Sequence, residues 1–129
     1  IEVENITFSA IFNDYKSLIS QANTLFLSGF QPLTLLKNTT NVLNIIHDAS
    51  LHRDNGETVP HALDKVKPNI FWKHKQDYLK AINLFETTKI ETIINKLLET
   101  EEIIKKHPEI SSTIVLNTLL NLSKIKVNI

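Results

Sequence analysis

The chain has 129 residues, 14 basic and 14 acidic side chains that cancel, and neither Cys nor Met. That length serves one domain with a core of its own. The missing Cys excludes disulfides, thiolate nucleophiles and Cys-based zinc sites, and suits a reducing, cytoplasmic setting.

A neutral chain is a poor principal DNA-binding surface, because non-specific affinity comes from neutralising phosphates. Arg53 is the single arginine, whereas bidentate readout of phosphate or guanine prefers Arg. With no initiator Met, the chain reads as part of a longer protein. Residues 1–8 lack the basic start and apolar run of a signal peptide. The apolar runs elsewhere fall far short of a membrane span.

Two glycines and four prolines leave long stretches uninterrupted, and their periodicity is helical. Residues 1–8 read either as a linker or as the approach to a first short helix over about 6–13. Tyr15, Leu18, Ile19, Ala22, Leu25 and Phe26 then adopt the three-four spacing of one helix face. Ser28-Gly29-Phe30 is a stop signal: Gly takes the left-handed cap position and Phe packs back on the last turn. Pro32 suits the first position of the next helix, where its missing N–H has no partner to lose. Leu35, Leu36, Thr39, Val42, Leu43, Ile46 and Ala49 carry that helix toward residue 52.

His52 to Thr58 is the clearest loop, with Asp-Asn-Gly as turn chemistry. Thr58 caps a short helix with Pro60 in its first turn. Pro68 breaks the chain, and from Ile70 the face Phe71, Tyr78, Leu79, Ile82, Phe85 predicts another helix. Ile90, Ile93, Ile94, Leu97, Leu98 and Ile104 share the stripe of the most regular segment. Pro108 ends it or opens the next element. Ile114, Val115, Leu116, Leu119, Leu120 and Leu122 form the last helix, with Ser111 or Ser112 as cap. No segment alternates as a strand does. The expectation is an all-α, compact helical bundle of five to seven helices: a single domain over 1–129, with the bundle at about 6–125.

Three chemical readings compete. His47-Asp48 with His52 and Asp54 just beyond has the look of a metal-dependent hydrolase, but that chemistry needs converging ligands from other helices, and no His precedes His47. The blander reading makes them polar residues ending a helix, where His suits the dipole. Glu99, Glu101 and Glu102 read as a solvated face, with Glu101 and Lys105 as a four-apart pair. There is no phosphate loop and no His-Glu-x-x-His. The domain reads as no enzyme, without cofactor or metal. The third reading is a helical nucleic-acid-binding module using Lys65, Lys67, Lys73, Lys75 and Lys80, a thin electrostatic footprint. Within "IFWKHK", Phe71 belongs to a core face, while Trp72 packs between helices or meets a partner.

"LDKVKPNIFWKHKQDYLKAI", then "IETIINKLLETEEIIKK", then an apolar terminal helix together resemble the C-terminal domain of the delta subunit of bacterial DNA polymerase III. Pro68 stands at that family's proline position, with Asn69 where a second is often seen. Ile70, Phe71 and Trp72 match its hydrophobic-aromatic segment; Lys73 and Lys75 match its basic positions. Leu97, Leu98, Glu101 and Lys105 match a later helix. Gly29, Pro32, Leu35 and Leu36 match an upstream pattern, and Lys37 is compatible with the Arg or other polar residue that the family often carries next. The resemblance runs from about residue 6 to 125, apart from 47–58.

It implies a scaffold role. The delta subunit belongs to the clamp loader, a ring of five AAA+-type subunits that places the sliding clamp on primed DNA. Its C-terminal helical domain joins those of its neighbours in a collar. The implied partners are the ATPase (gamma/tau-type) subunit and the delta-prime subunit, with DNA and clamp reached only through the full complex, and no membrane. The family's more N-terminal domains, with the nucleotide-binding-like fold, are absent from this sequence. A collar pairs helix faces, so apolar residues off the internal stripes are the interface candidates: Leu27, Phe30, Trp72, Ile103 and Ile125, beside the basic Lys73 and Lys75.

Overall fold

The computed structural model describes residues 3–68 and 72–124, with only the backbone of Trp72. The expectations placed on Asn69, Ile70, Phe71 and Ile125 lie outside the described residues.

Among the described residues seven α-helices appear in chain order: α1 (Val3–Ile11), α2 (Tyr15–Leu27), α3 (Pro32–Asp54), α4 (Val59–Val66), α5 (Trp72–Leu84), α6 (Thr87–Lys106) and α7 (Ser111–Leu120). Short 3-10 turns occupy Pro108–Ile110 and Leu122–Lys124, and no strand occurs among the described residues. The architecture is an all-α bundle, as the periodicity predicts.

The hub is α3. Its 23 residues make a rod about 35 Å long, against which α1, α4, α5, α6 and α7 all pack. Leu35, Leu36, Thr39, Val42, Leu43, Ile46, Ala49 and Ser50 are its buried residues. Their spacing winds one broad apolar stripe along the rod, which is why several helices can bury their own stripes on it. Thr39 is tolerated there because its hydroxyl donates to the Leu35 carbonyl at 3.0 Å and lies 3.0 Å from the equally buried Thr7 hydroxyl.

Three helix stops share one device. At the end of α2 the N–H of Phe30 donates to the Leu25 carbonyl and that of Gly29 to Phe26, with Gly29 at φ +94°. At the end of α3 the N–H of Glu57 donates to His52 and that of Gly56 to Arg53, again with Gly56 at φ +94°. These paired bonds satisfy carbonyls that the helix leaves without partners, and only a left-handed residue closes them. The end of α1 repeats the pattern with Asn13 at φ +61°: Asp14 donates to Ser9, Asn13 to Ala10. Asn is the side chain that tolerates this conformation best after Gly. Asp14 then caps α2 by accepting from the Ser17 N–H.

The boundaries differ from expectation where tertiary contacts decide them. Val3 already lies in α1, whose Ile6, Thr7, Phe8, Ala10 and Ile11 are buried; this segment is core, not linker. Helix α3 runs to Asp54, so the loop shrinks to residues 55–58 and His47 sits two turns inside the helix. On α6, Leu98 is exposed, Ile94 half-buried, and Thr100 takes the buried place, its hydroxyl donating to the Lys96 carbonyl at 2.8 Å. Thr58 and Pro32 behave as predicted: Thr58 accepts from the His61 N–H, and Pro32 opens α3. Helix α7 starts at Ser111 itself, with Ile110 as its uncapped N-cap, because Pro108 opens a 3-10 turn that feeds directly into it.

Candidate interaction surface

Leu27, the last residue of α2, is 89% exposed. It stands on the rim of an open groove of about 410 Å³ between the end of α2 and the start of α7, lined by Asn23, Phe26, Leu27, Ser112, Thr113 and Leu116. Helix phase explains the exposure: Leu27 lies about 180° around α2 from the buried Leu18 and about 200° from the buried Leu25. By turning the chain sharply one residue past the cap, the Gly29 stop sends Phe30 back against the core. None of the six lining residues carries a charge, so an apolar occupant would displace water without stranding an ion.

The other predicted interface residues divide. Ile103 is exposed on α6. Phe30 is half-buried against the core, so it serves packing first. Lys73 is exposed and Lys75 half-buried on α5. Leu84, Leu98 and Ile110 are also exposed large apolar residues; the apolar spacing concealed Leu98, which falls on the stripe of α6.

The basic edge is partly engaged within the protein. Lys65 holds Glu57 at 2.5 Å, and Lys80 lies 4.3 Å over the Phe12 ring. Lys67 is the half-buried C-cap of α4. Glu101, read as part of a solvated acidic face, is half-buried and turned toward Lys37 of α3 at 3.8 Å.

The His-Asp stretch separates into different neighbourhoods. His47 and His52 are five residues apart on α3, about 140° around the rod. His47 places Nε2 2.9 Å from Glu91 of α6. His52 places Nδ1 2.6 Å from Glu57, which also lies 3.4 Å from His61 Nε2. Among the described residues no group of three or more His, Asp or Glu could hold a metal ion. These contacts tie α3 to α6 and to α4, where the sequence alone suggests only the polar end of a helix.

The tightest polar cluster surrounds Arg53. Its Nη1 donates to the carbonyls of Ile82 and, at 2.7 Å, Phe85, the unpaired carbonyls at the end of α5. Its Nε and Nη2 form a fork on Asp54 Oδ1 at 3.1 and 3.0 Å. The Thr87 hydroxyl, opening α6, lies 2.5 Å from Asp54 Oδ2 as its donor. One guanidinium therefore joins the ends of α3 and α5 to the start of α6.

These contacts contribute to the acid limb of stability. The Thr87 hydroxyl, then Arg53, hold the Asp54 carboxyl below its usual range; Lys65 does the same for Glu57, with His52 adding to it. Both groups have folded values below the unfolded ones, so their contribution is complete above the ordinary carboxylate range. It is lost as pH falls through the folded values. The urea midpoint should therefore fall as pH drops below about 4. The double variant Asp54→Asn/Glu57→Gln should start lower at neutral pH and show a shallower acid decline. Parallel pH profiles for the two proteins would mean that neither carboxylate is specifically paired.

Among the described residues no helix is long and apolar enough to cross a membrane. Compared with protein-family models, with curated proteins and with solved structures, the chain matches none.

Proposed function

We propose that this chain is a helical interaction module, the collar domain of a clamp-loader subunit of the delta type, holding neighbouring subunits together for loading a sliding clamp. The observation that carries the reading is the segment around Gly29, Pro32, Leu35 and Leu36. Its residues resemble that family's pattern, and Leu27, just before it, is 89% exposed beside a charge-free groove. Further support comes from the neutral net charge, which lets helix faces pair without long-range repulsion. The engagement of Lys65 and Lys80 within the domain weakens the rival nucleic-acid reading.

The test is a pull-down with the clamp-loader ATPase subunit and the delta-prime subunit, with the clamp as control. Capture of either loader subunit but not of the clamp is the expected result. Leu27→Asp should weaken that capture about tenfold or more and leave the thermal melt unchanged. A folded sample that captures neither subunit overturns the reading. Capture untouched by Leu27→Asp keeps the scaffold but removes the groove from its interface.

A further inference from the structure

Asn55-Gly56 is the only Asn-Gly pair in the chain, and both residues are exposed at the end of α3. A backbone nitrogen directly after Asn can attack the Asn side-chain amide carbon and close a five-membered imide. Most residues in that next position hinder the approach with their side chains; Gly does not. At Gly56 even the place of a Cβ has no heavy atom within 4 Å beyond its chain neighbours, so no packed side chain crowds the turn.

We propose that Asn55-Gly56 is a self-modification site, gated by the cap of α3. The Gly56 nitrogen bonds to Cγ of Asn55, and the Cγ–Nδ2 bond breaks. The leaving nitrogen takes the amide proton and departs as ammonia. Water then adds to one of the two imide carbonyls, opening the ring to aspartate or to isoaspartate. Water is the only co-reactant, and nothing is oxidised or reduced.

The gate is the helix stop itself. The Gly56 N–H is held by the Arg53 carbonyl at 2.9 Å and the Glu57 N–H by His52 at 3.2 Å. Asn55 sits at φ −84°, ψ 8°, and ring closure requires that ψ to rotate far from this value. The reaction therefore runs through the fraction of molecules whose cap is open. The isoaspartate product does not restore the cap. Either product adds a negative charge where the dipole of α3 is already negative, next to Asp54 and Glu57. Isoaspartate also lengthens the backbone, so the two cap bonds cannot both re-form. The change is one-way and loosens the α3–α4 junction.

The experiment tracks the full chain by peptide mapping and mass spectrometry at mildly alkaline pH, once folded and once in urea. A gain of about one dalton should concentrate at Asn55 in both, about tenfold or more faster in urea. It should vanish from that peptide in Asn55→Gln. In the folded, converted protein the amides of residues 56 and 57 should exchange hydrogen faster than in fresh protein. A gain spread evenly over the asparagines, or none at Asn55 in urea, overturns the site. Equal rates in the folded and unfolded chain overturn the gate.

Discussion

Replacing Arg53 with Ala lowers the stability of the domain by about 2–4 kcal/mol, or about 10 °C in melting temperature for a chain of this size. The cost comes from groups that lose their partners, more than from attraction between charges. The Ile82 and Phe85 carbonyls at the end of α5 are met by the guanidinium, in a part-buried place where water is a poor substitute. Asp54 loses the fork that neutralises it while staying at the negative end of α3. Arg53→Lys should recover less than half of the loss, since one ammonium cannot reach two carbonyls and a carboxylate with fixed geometry. A double-mutant cycle with Asp54→Asn should show a clear coupling between the pair. Melting curves of wild type and Arg53→Ala that agree within about 2 °C would make the cluster a surface ornament.

That cluster also explains a feature of the composition. The lone arginine among so many lysines removes the usual means of reading phosphate or guanine, and here it is committed to holding three helix ends. Nothing near Arg53 in the sequence discloses this. Its carbonyl partners lie about thirty residues further on, and a carbonyl oxygen leaves no mark on a sequence.

Local chemistry was legible where it is self-contained. Gly29, Pro32, Thr58 and the apolar spacing of α3 each act within a turn or two, and each does what its residue type dictates. The stop at Asn13 was equally local but easily passed over, because Asn signals a left-handed residue less strongly than Gly. Other features depended on neighbours far along the chain. His47 looked like a helix end only because Asp54 and Asn55 come so soon after it; packing against α4 and α6 carries the helix past it. Glu101 looked solvated until α3 placed Lys37 opposite. Within the candidate surface, Leu27 could be read from its place off the apolar stripe of α2. The groove beside it could not, since α7 contributes the far wall from ninety residues away.

The first helix is where distance matters most, and Phe8→Ala there should cost about 3–5 kcal/mol. Phe8 is 3% exposed. Its ring meets Tyr78 edge to face, centroids 5.0 Å apart and planes at 83°, and lies nearly parallel to His74 at 6.2 Å. The same helix supplies Glu4, whose Oε2 accepts the Tyr78 hydroxyl proton at 3.1 Å. Burial, with the Glu4 charge added, drives the Tyr78 phenol well above its usual range, so it stays a donor at any working pH. Removing the Phe8 ring opens a cavity between α1 and α5 and forfeits edge-to-face contacts worth about a further 1 kcal/mol. Phe8→Leu keeps most of the volume and should cost about half as much. Against a total stability of about 5–15 kcal/mol, the larger loss leaves a domain near its folding limit. Amide exchange along α1 should rise with it. A domain that loses less than about 1 kcal/mol, with α1 exchanging as before, would return residues 3–11 to the status of a detachable arm. The aromatic packing between α1 and α5 would then be incidental to the fold.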